Sequence, residues 1–376
     1  MIRHILTVST GTLASRILGF VRDALIAALL GAGWVTDAFL VAFQFINVAR
    51  RMLTEGALNA ALVPGYLHVR ETDGKQPAAA YAGRVLGSVT LVLVLIALAL
   101  GLFMPLVIGL LAPGFKDQPS LQSAINNARL MLPYFAFVGP ATVMMGVLNA
   151  EHRFMLTAFS PVLFNIVMIC TIGVLLVWQH DPAWSATAIA AAVGVAGCLQ
   201  MLILIQRRPA REGLASPVKV SFDAQIRGFF RKATPGMLAN SGPQFLIVAG
   251  AILASSSPAA VSWLYFANRL IELPLGMVGV AMGTVLVPEL TRAIRNDDST
   301  AMSNAESRGL ELAVALALPA TLGLMILAEP IVRLLFEHGA FTPDDTAATA
   351  QALVLLALGL PAHVLTKTLA PAFFAR

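Results

Sequence analysis

Charge is what this sequence has least of. Acidic and basic side chains make up 12% of its 376 residues, while hydrophobic ones make up 58%. A soluble domain carries about 25% charged residues, because its surface needs them. Here 25 Lys and Arg with 20 Asp and Glu are too few to cover a surface in water. Soluble enzymes, disordered chains and fibrous proteins are thereby excluded. Cysteine is almost absent: Cys170 and Cys198 both lie in apolar runs with no CxxC spacing. They read as small packed residues rather than a disulfide or a metal pair. Catalytic signatures are missing as well, with no HExxH, DxD, GxSxG or P-loop and six scattered histidines. No cofactor and no metal site is expected, and an enzyme is not expected.

What the chain has is apolar length. A membrane-crossing helix needs about 20 such residues. Breaks at polar, Pro and Gly positions predict ten spans, at 7–30, 36–66, 82–111, 125–149, 156–178, 184–206, 229–253, 259–290, 307–328 and 347–373. The expected fold class is an all-α integral membrane protein, a polytopic helix bundle. Continuous rather than alternating runs exclude a β-barrel. The basic start of the chain is interrupted by Arg16 and reads as a retained first span rather than a cleaved leader.

Basic residues set the orientation. Sixteen of the 25 fall in one set of predicted loops, and only Lys116, Arg129 and Arg333 fall in the other. An even number of spans then places both ends in the cytoplasm. The net charge of +5 is therefore mostly topology, and no nucleic-acid partner is implied. The longest polar connection, 206–232, is basic and partly amphipathic. It is either a helix lying on the cytoplasmic leaflet or an unstructured linker. It suggests a division into an N-lobe at 1–206, a linker at 207–228 and a C-lobe at 229–376.

The second half echoes the first. ALVPGYLHVR (61–70) resembles VLVPELTRAI (285–294), and MPLVIGLLAPGF (104–115) resembles EPIVRLLFEHGAF (329–341). VGPATVMMGVLNA (138–150) likewise resembles LGLPAHVLTKTLA (358–370). Three matches in one order at near-constant offset indicate parallel repeats. Six spans precede the linker and four follow it, so an incomplete second half is expected.

Six cations fall inside predicted spans: Arg16, Arg22, Arg50, Arg51, Arg269 and Lys367. Each costs about 3 kcal/mol on the insertion scale if left in lipid. Lys367 can snorkel to a nearby end; Arg50 and Arg51, midway along the predicted second span, cannot do so easily. The acids within reach are Asp23, Asp37, Glu55 and Glu272. Arg16 and Asp23 are seven apart on one helical face, and Arg269 and Glu272 are three apart. One reading is a set of structural ion pairs. The other is an anion site at the repeat interface, because arginine forks suit phosphate oxygens and a diphosphate head group fits by charge. Asp37 begins the second span, where it could cap the helix or act as a gate.

The blocks SRILGFVRDALIAALLGAG (15–33) and TDAFLVAFQFINVARRMLTEGALNAALVP (36–64) closely resemble the opening of the MurJ/MviN family of bacterial lipid II flippases. YFANRLIELPLGMVGVAMGTVLVPEL (265–290) and LFEHGAFTPDD (335–345) continue the resemblance along essentially the whole chain. The resemblance implies the MOP exporter fold, two pseudo-symmetric lobes around a central cavity in the bacterial inner membrane. It implies alternating access that carries lipid II, an undecaprenyl-diphosphate-linked peptidoglycan precursor, to the periplasmic leaflet, driven by an unidentified ion or the membrane potential. The family's cavity arginines map onto Arg16, Arg22, Arg50 and Arg269. Asp37 corresponds to an outer-gate acid, and Glu55 falls in a cytoplasmic-side motif. Asp23, Arg51 and Glu272 complete the set expected to gate or form ion pairs. Gln44 departs from a frequent lysine, and Asn268 from an acid in some members. The last spans of the family pattern, which form the groove for the lipid tail, are absent here. The alternatives are an inert membrane scaffold held by structural ion pairs and an exporter of another lipid-linked glycan.

Overall fold

The computed structural model describes residues 2–54, 57–178, 180–206, 215–239, 242–281, 296 and 299–374. Among them every regular element is helical. The first helices are α1 (Ile2–Leu30), α2 (Trp34–Thr54), α3 (Ala57–Thr72) and α4 (Lys75–Leu111). A 3-10 turn (Pro113–Phe115) leads to α5 (Pro119–Met131), α6 (Pro133–Ala150), α7 (Phe154–Trp178) and α8 (Pro182–Gln206). Then come α9 (Ala224–Ala239), α10 (Gly242–Ala254) and α11 (Ala260–Ala281). The last four are α12 (Ser299–Ile326), α13 (Ala328–Phe336), α14 (Pro343–Leu358) and α15 (Leu360–Phe374). Proline opens α5, α6, α8 and α14, where the missing N–H costs nothing and φ is already helical.

By length and hydropathy, five of the described helical stretches can cross a membrane: Lys75–Leu111, Pro119–Ala150, Phe154–Trp178, Pro182–Leu204 and Thr300–Ile326. The pair Pro343–Leu358 and Leu360–Thr366, bent by 43°, makes a sixth if counted as one span. The other four of the ten predicted spans, 7–30, 36–66, 229–253 and 259–290, carry the intramembrane charges or run into positions outside the described residues.

The chain divides into two compact units, residues 1–261 and 262–376. In the first, α1 packs along α7, α2 against α5, and α6 is flanked by α3, α4 and α8. Its core joins Leu62 and Tyr66 of α3, Val85 and Val89 of α4, Val147 of α6 and Phe229 of α9. The division at 261 differs from the one expected at 207–228. Ile226, Phe229 and Ala233 recur on one face of α9 and are buried in the first unit's core. At the other end, Gly114 N–H donates to Ser255 Oγ at 3.1 Å.

In the second unit, α12 packs on α14 and α15. Phe266, Phe336 and Phe341 form an aromatic cluster with centroids 5.2–6.1 Å apart. The LFEHGAFTPDD block is the turn from α13 to α14. Gly339 takes a positive φ of 60°, and Thr342 and Asp345 form a reciprocal capping box. Trp263 Nε1 donates to Asp345 Oδ1 at 3.1 Å, which clasps α11 to that turn.

Candidate functional site

The arginines expected to form one cationic site stand on three helices, Arg16 and Arg22 on α1, Arg50 on α2 and Arg269 on α11, in different surroundings. Arg16 lies at the midpoint of α1, a helix of 29 residues, and its side chain is exposed beside Leu13 and Ile17, which are 60% and 55% exposed. Among the described residues it makes no hydrogen bond or ion pair. Six positions later, Arg22 points the opposite way and is 9% exposed. Its Nε and Nη2 both donate to Asp23 Oδ1, at 2.9 and 2.7 Å. Its Nη1 donates to Asn165 Oδ1 at 3.0 Å. The guanidinium also lies 5.0 Å from the Phe43 ring centroid and 6.0 Å from that of Phe164. Asp23 is fully buried. The helical spacing that pairs Arg16 with Asp23 is therefore corrected: Asp23 is engaged by its neighbour. Adjacent residues do not normally face each other on a helix. The long arginine arm does so here because Asn165 and the two rings draw it toward α7 and α2.

Asn165 had no role in the sequence reading, yet it ties this network together. While accepting from Arg22, it donates from Nδ2 to the Ser15 carbonyl at 3.0 Å and to the Pro161 carbonyl at 3.3 Å. An isolated asparagine in an apolar run gives no signal until the facing helix is known.

Asp37 is 2% exposed in the first turn of α2. Its own N–H makes an i→i−4 bond to the Gly33 carbonyl at 2.8 Å, so it stands one turn inside the helix rather than at the cap. Further along the same helix Phe39 and Phe43 stack with centroids 5.6 Å apart. Arg50 and Arg51 are half-buried at the end of the same helix. Gln44 lines a small apolar cleft with Leu111, Ile247 and Ala251. Glu55 lies outside the described residues.

In the second unit, Arg269 Nη1 bonds Glu272 Oε2 at 2.6 Å, one turn along α11. Their side chains are 21% and 32% exposed, so the pair is accessible rather than sealed. This i,i+3 contact is the one that the spacing predicted.

Further polar ties, also not anticipated, sit at the loop ends of the first unit. Tyr66 Oη donates to Glu151 Oε1 at 2.7 Å, and Arg70 Nη1 meets the same oxygen at 3.0 Å. Arg84 donates to Asp223 Oδ2 and Gln225 Oε1, both at 2.7 Å. No group of His, Cys, Asp or Glu that could hold a metal occurs among the described residues.

A bundle of this topology with arginines on its helices belongs to a recognisable class. Its fold matches an inward-facing multidrug resistance MATE family transporter of the MOP superfamily, with TM-score 0.75 and 14% identity over 96% of this chain and 82% of that one. It matches a lipid II flippase MurJ in an inward closed conformation with TM-score 0.77 and 24% identity, over 99% and 76%. The fold is thus shared with these two solved structures.

Sequence makes the assignment narrower. The model of the lipid II flippase MurJ family matches residues 26–376. A probable lipid II flippase MurJ of Rhizobium meliloti (strain 1021) is 37% identical over 100% of this chain and 71% of its own length. The lipid II flippase MurJ of Burkholderia cenocepacia is 33% identical over 100% and 73%. The chain belongs to the MurJ family of lipid II flippases.

Proposed function

We propose that this protein moves lipid II across the inner membrane, from the cytoplasmic to the periplasmic leaflet, by alternating access. The observation that carries this reading, beside family membership, is Arg16. A guanidinium at the middle of a long apolar helix, with no partner among the described residues, costs about 3 kcal/mol in lipid. A wet, anion-lined path removes that cost, and a diphosphate gives the fork two acceptors. Arg50, half-buried at the end of α2, serves the same head group, and Arg269, accessible beside Glu272, is a further arginine for anion binding. Arg22 contributes by holding α1 against α7. Asp37 acts at the outer gate, and an ion gradient or the membrane potential drives the cycle. The N-terminus and the connection at 207–228 lie in the cytoplasm, in keeping with the distribution of basic loops.

The test is rescue of precursor export in depleted cells by Arg16→Ala, Arg50→Ala and Arg269→Ala at matched protein levels. Loss of rescue with normal accumulation is expected for Arg16→Ala. Full rescue by all three variants would sink the anion-path reading. The Arg22–Asp23 pair favours a structural role for that arginine, so Arg22→Ala is expected to reduce accumulation instead.

A further inference from the structure

We infer that the segment 215–223 is a membrane-interface anchor, a strap whose apolar edge and flanking basic residues engage the acidic phospholipid surface of the cytoplasmic leaflet. The strap lies in extended conformation along the start of α4. Ser216 N–H donates to the Ala79 carbonyl at 3.1 Å and Lys219 N–H to the Gly83 carbonyl at 3.3 Å. Ser88 Oγ donates to the Ser221 carbonyl at 2.6 Å and accepts from Ser221 N–H at 3.0 Å. The close approach requires two glycines. A Cβ on Gly83 would lie 2.2 Å from the Pro217 carbonyl oxygen, and one on Gly87 would lie 2.6 Å from that of Lys219. Both obstacles are backbone atoms that cannot step aside.

Along the strap Val218, Val220 and Phe222 are 54%, 46% and 52% exposed, and Lys219 between them is exposed as well. A solvent-facing strap would carry polar residues at those positions.

Their level is set by α4. Helix α4 is uncharged from Val85 to Leu111, about 40 Å at 1.5 Å per residue, longer than a hydrocarbon core of about 30 Å. Ser88, one turn past Arg84, therefore lies toward the interfacial end of the span, and the strap, bonded to Ser88 through Ser221, puts Phe222 there. The opposite boundary is marked by Gly114, which bonds Ser255 just past α10, so α9 and α10 traverse the thickness that α4 does. Helix α9 starts at this level and presents Arg227, Arg231 and Lys232 within its first nine residues, all exposed, while Phe230 stacks on Phe222 at 6.5 Å and 23°. An apolar edge with cations at one level is the pattern of an interfacial anchor, and basic residues near an acidic leaflet each contribute about 1 kcal/mol.

The inference does not depend on which lipid is flipped, and its test does not read transport. The full chain is placed in nanodiscs of phosphatidylcholine with or without phosphatidylglycerol, carrying Trp in turn at 222, 220 or 218. Quenching by lipids brominated near the glycerol is compared with quenching by aqueous iodide, after subtraction of the unsubstituted chain. Phe222→Trp is expected to be quenched by bromolipid and shielded from iodide. Val220→Trp and Val218→Trp should follow in falling order, because position 218 lies about 13 Å further along an extended chain. Iodide quenching at all three positions, or no gradient, would overturn the anchor and leave an aqueous or protein-facing edge. For the charge component, Arg227→Gln, Arg231→Gln and Lys232→Gln should each lower the relative association of spin-labelled phosphatidylglycerol about five-fold at this site. Unchanged association in the triple variant would overturn the acidic-lipid part. Unfolding temperatures equal to the parent's confirm that each variant is folded.

Discussion

Arg16 and Arg22 share a helix and a charge, yet six positions turn them to different faces with different consequences. Arg22 is sealed with a fully buried carboxylate. Removing it takes the guanidinium from a fully buried carboxylate, a loss of about 3–5 kcal/mol. Arg22→Ala should therefore lower the unfolding temperature in detergent sharply. Arg16→Ala, on an exposed face, should change stability by no more than about 0.5 kcal/mol. Equal destabilisation by the two, measured in one detergent, would contradict this separation. Both arginines were visible in the sequence as cations in a span, and depth alone treated them alike. What distinguishes them is Asn165, 143 positions away, and no periodicity within α1 reports that contact. Arg269 was more legible, because its partner Glu272 lies one turn away on the same helix.

At the scale of elements, small residues decide how closely helices approach. A Cβ on Gly11 of α1 would meet the Ala158 carbonyl oxygen of α7 at 2.7 Å. Gly11→Leu should push α1 from α7 and destabilise the unit by about 1–3 kcal/mol, read as a lower unfolding temperature with loss of the Arg22–Asn165 contact. The start of α9 makes a pH-dependent prediction. Asp223 caps the helix by accepting from Ile226 N–H at 2.9 Å. That bond, followed by those from Ser221 and by Arg84, holds its carboxyl below the ordinary carboxylate value despite some desolvation. A depressed folded-state pKa means the stabilisation is fully present above the unfolded value near 3.9 and is lost as pH falls through the folded value. Hydrogen-exchange protection in the first turn of α9, taken relative to the intrinsic rate at each pH, should thus be constant from pH 7 to 5 and fall only below about pH 4. In Asp223→Ala the loss of protection should already be present at pH 7, with a cost of about 1 kcal/mol. Five of the predicted spans, and a sixth counting the bent pair, were legible at this scale, since apolar length is a local property. The 43° bend within that pair was not, because the hydropathy runs across it.

For the whole molecule, orientation is the most direct prediction. A phosphatase fused after His180 should be active outside the cytoplasm, and a fluorescent protein fused after Ala215 should fluoresce inside it. The reverse pattern would invert the assignment built on basic loops and remove the cytoplasmic lipid surface from the strap. The sequence by itself determined the solvent, since 12% charge over 376 residues cannot cover a surface in water. It also determined the helical class, and through its motif blocks a resemblance that the family match bore out. Only the tertiary structure decided which arginine is sealed and which is open, and that α9 and α10 pack with the first unit rather than beyond the connection. It also decided that a stretch readable as linker or surface helix is an extended strap on two glycines. The reason is physical: membrane partition sums over local composition, whereas ion pairing and close packing depend on which distant backbone comes within about 3 Å.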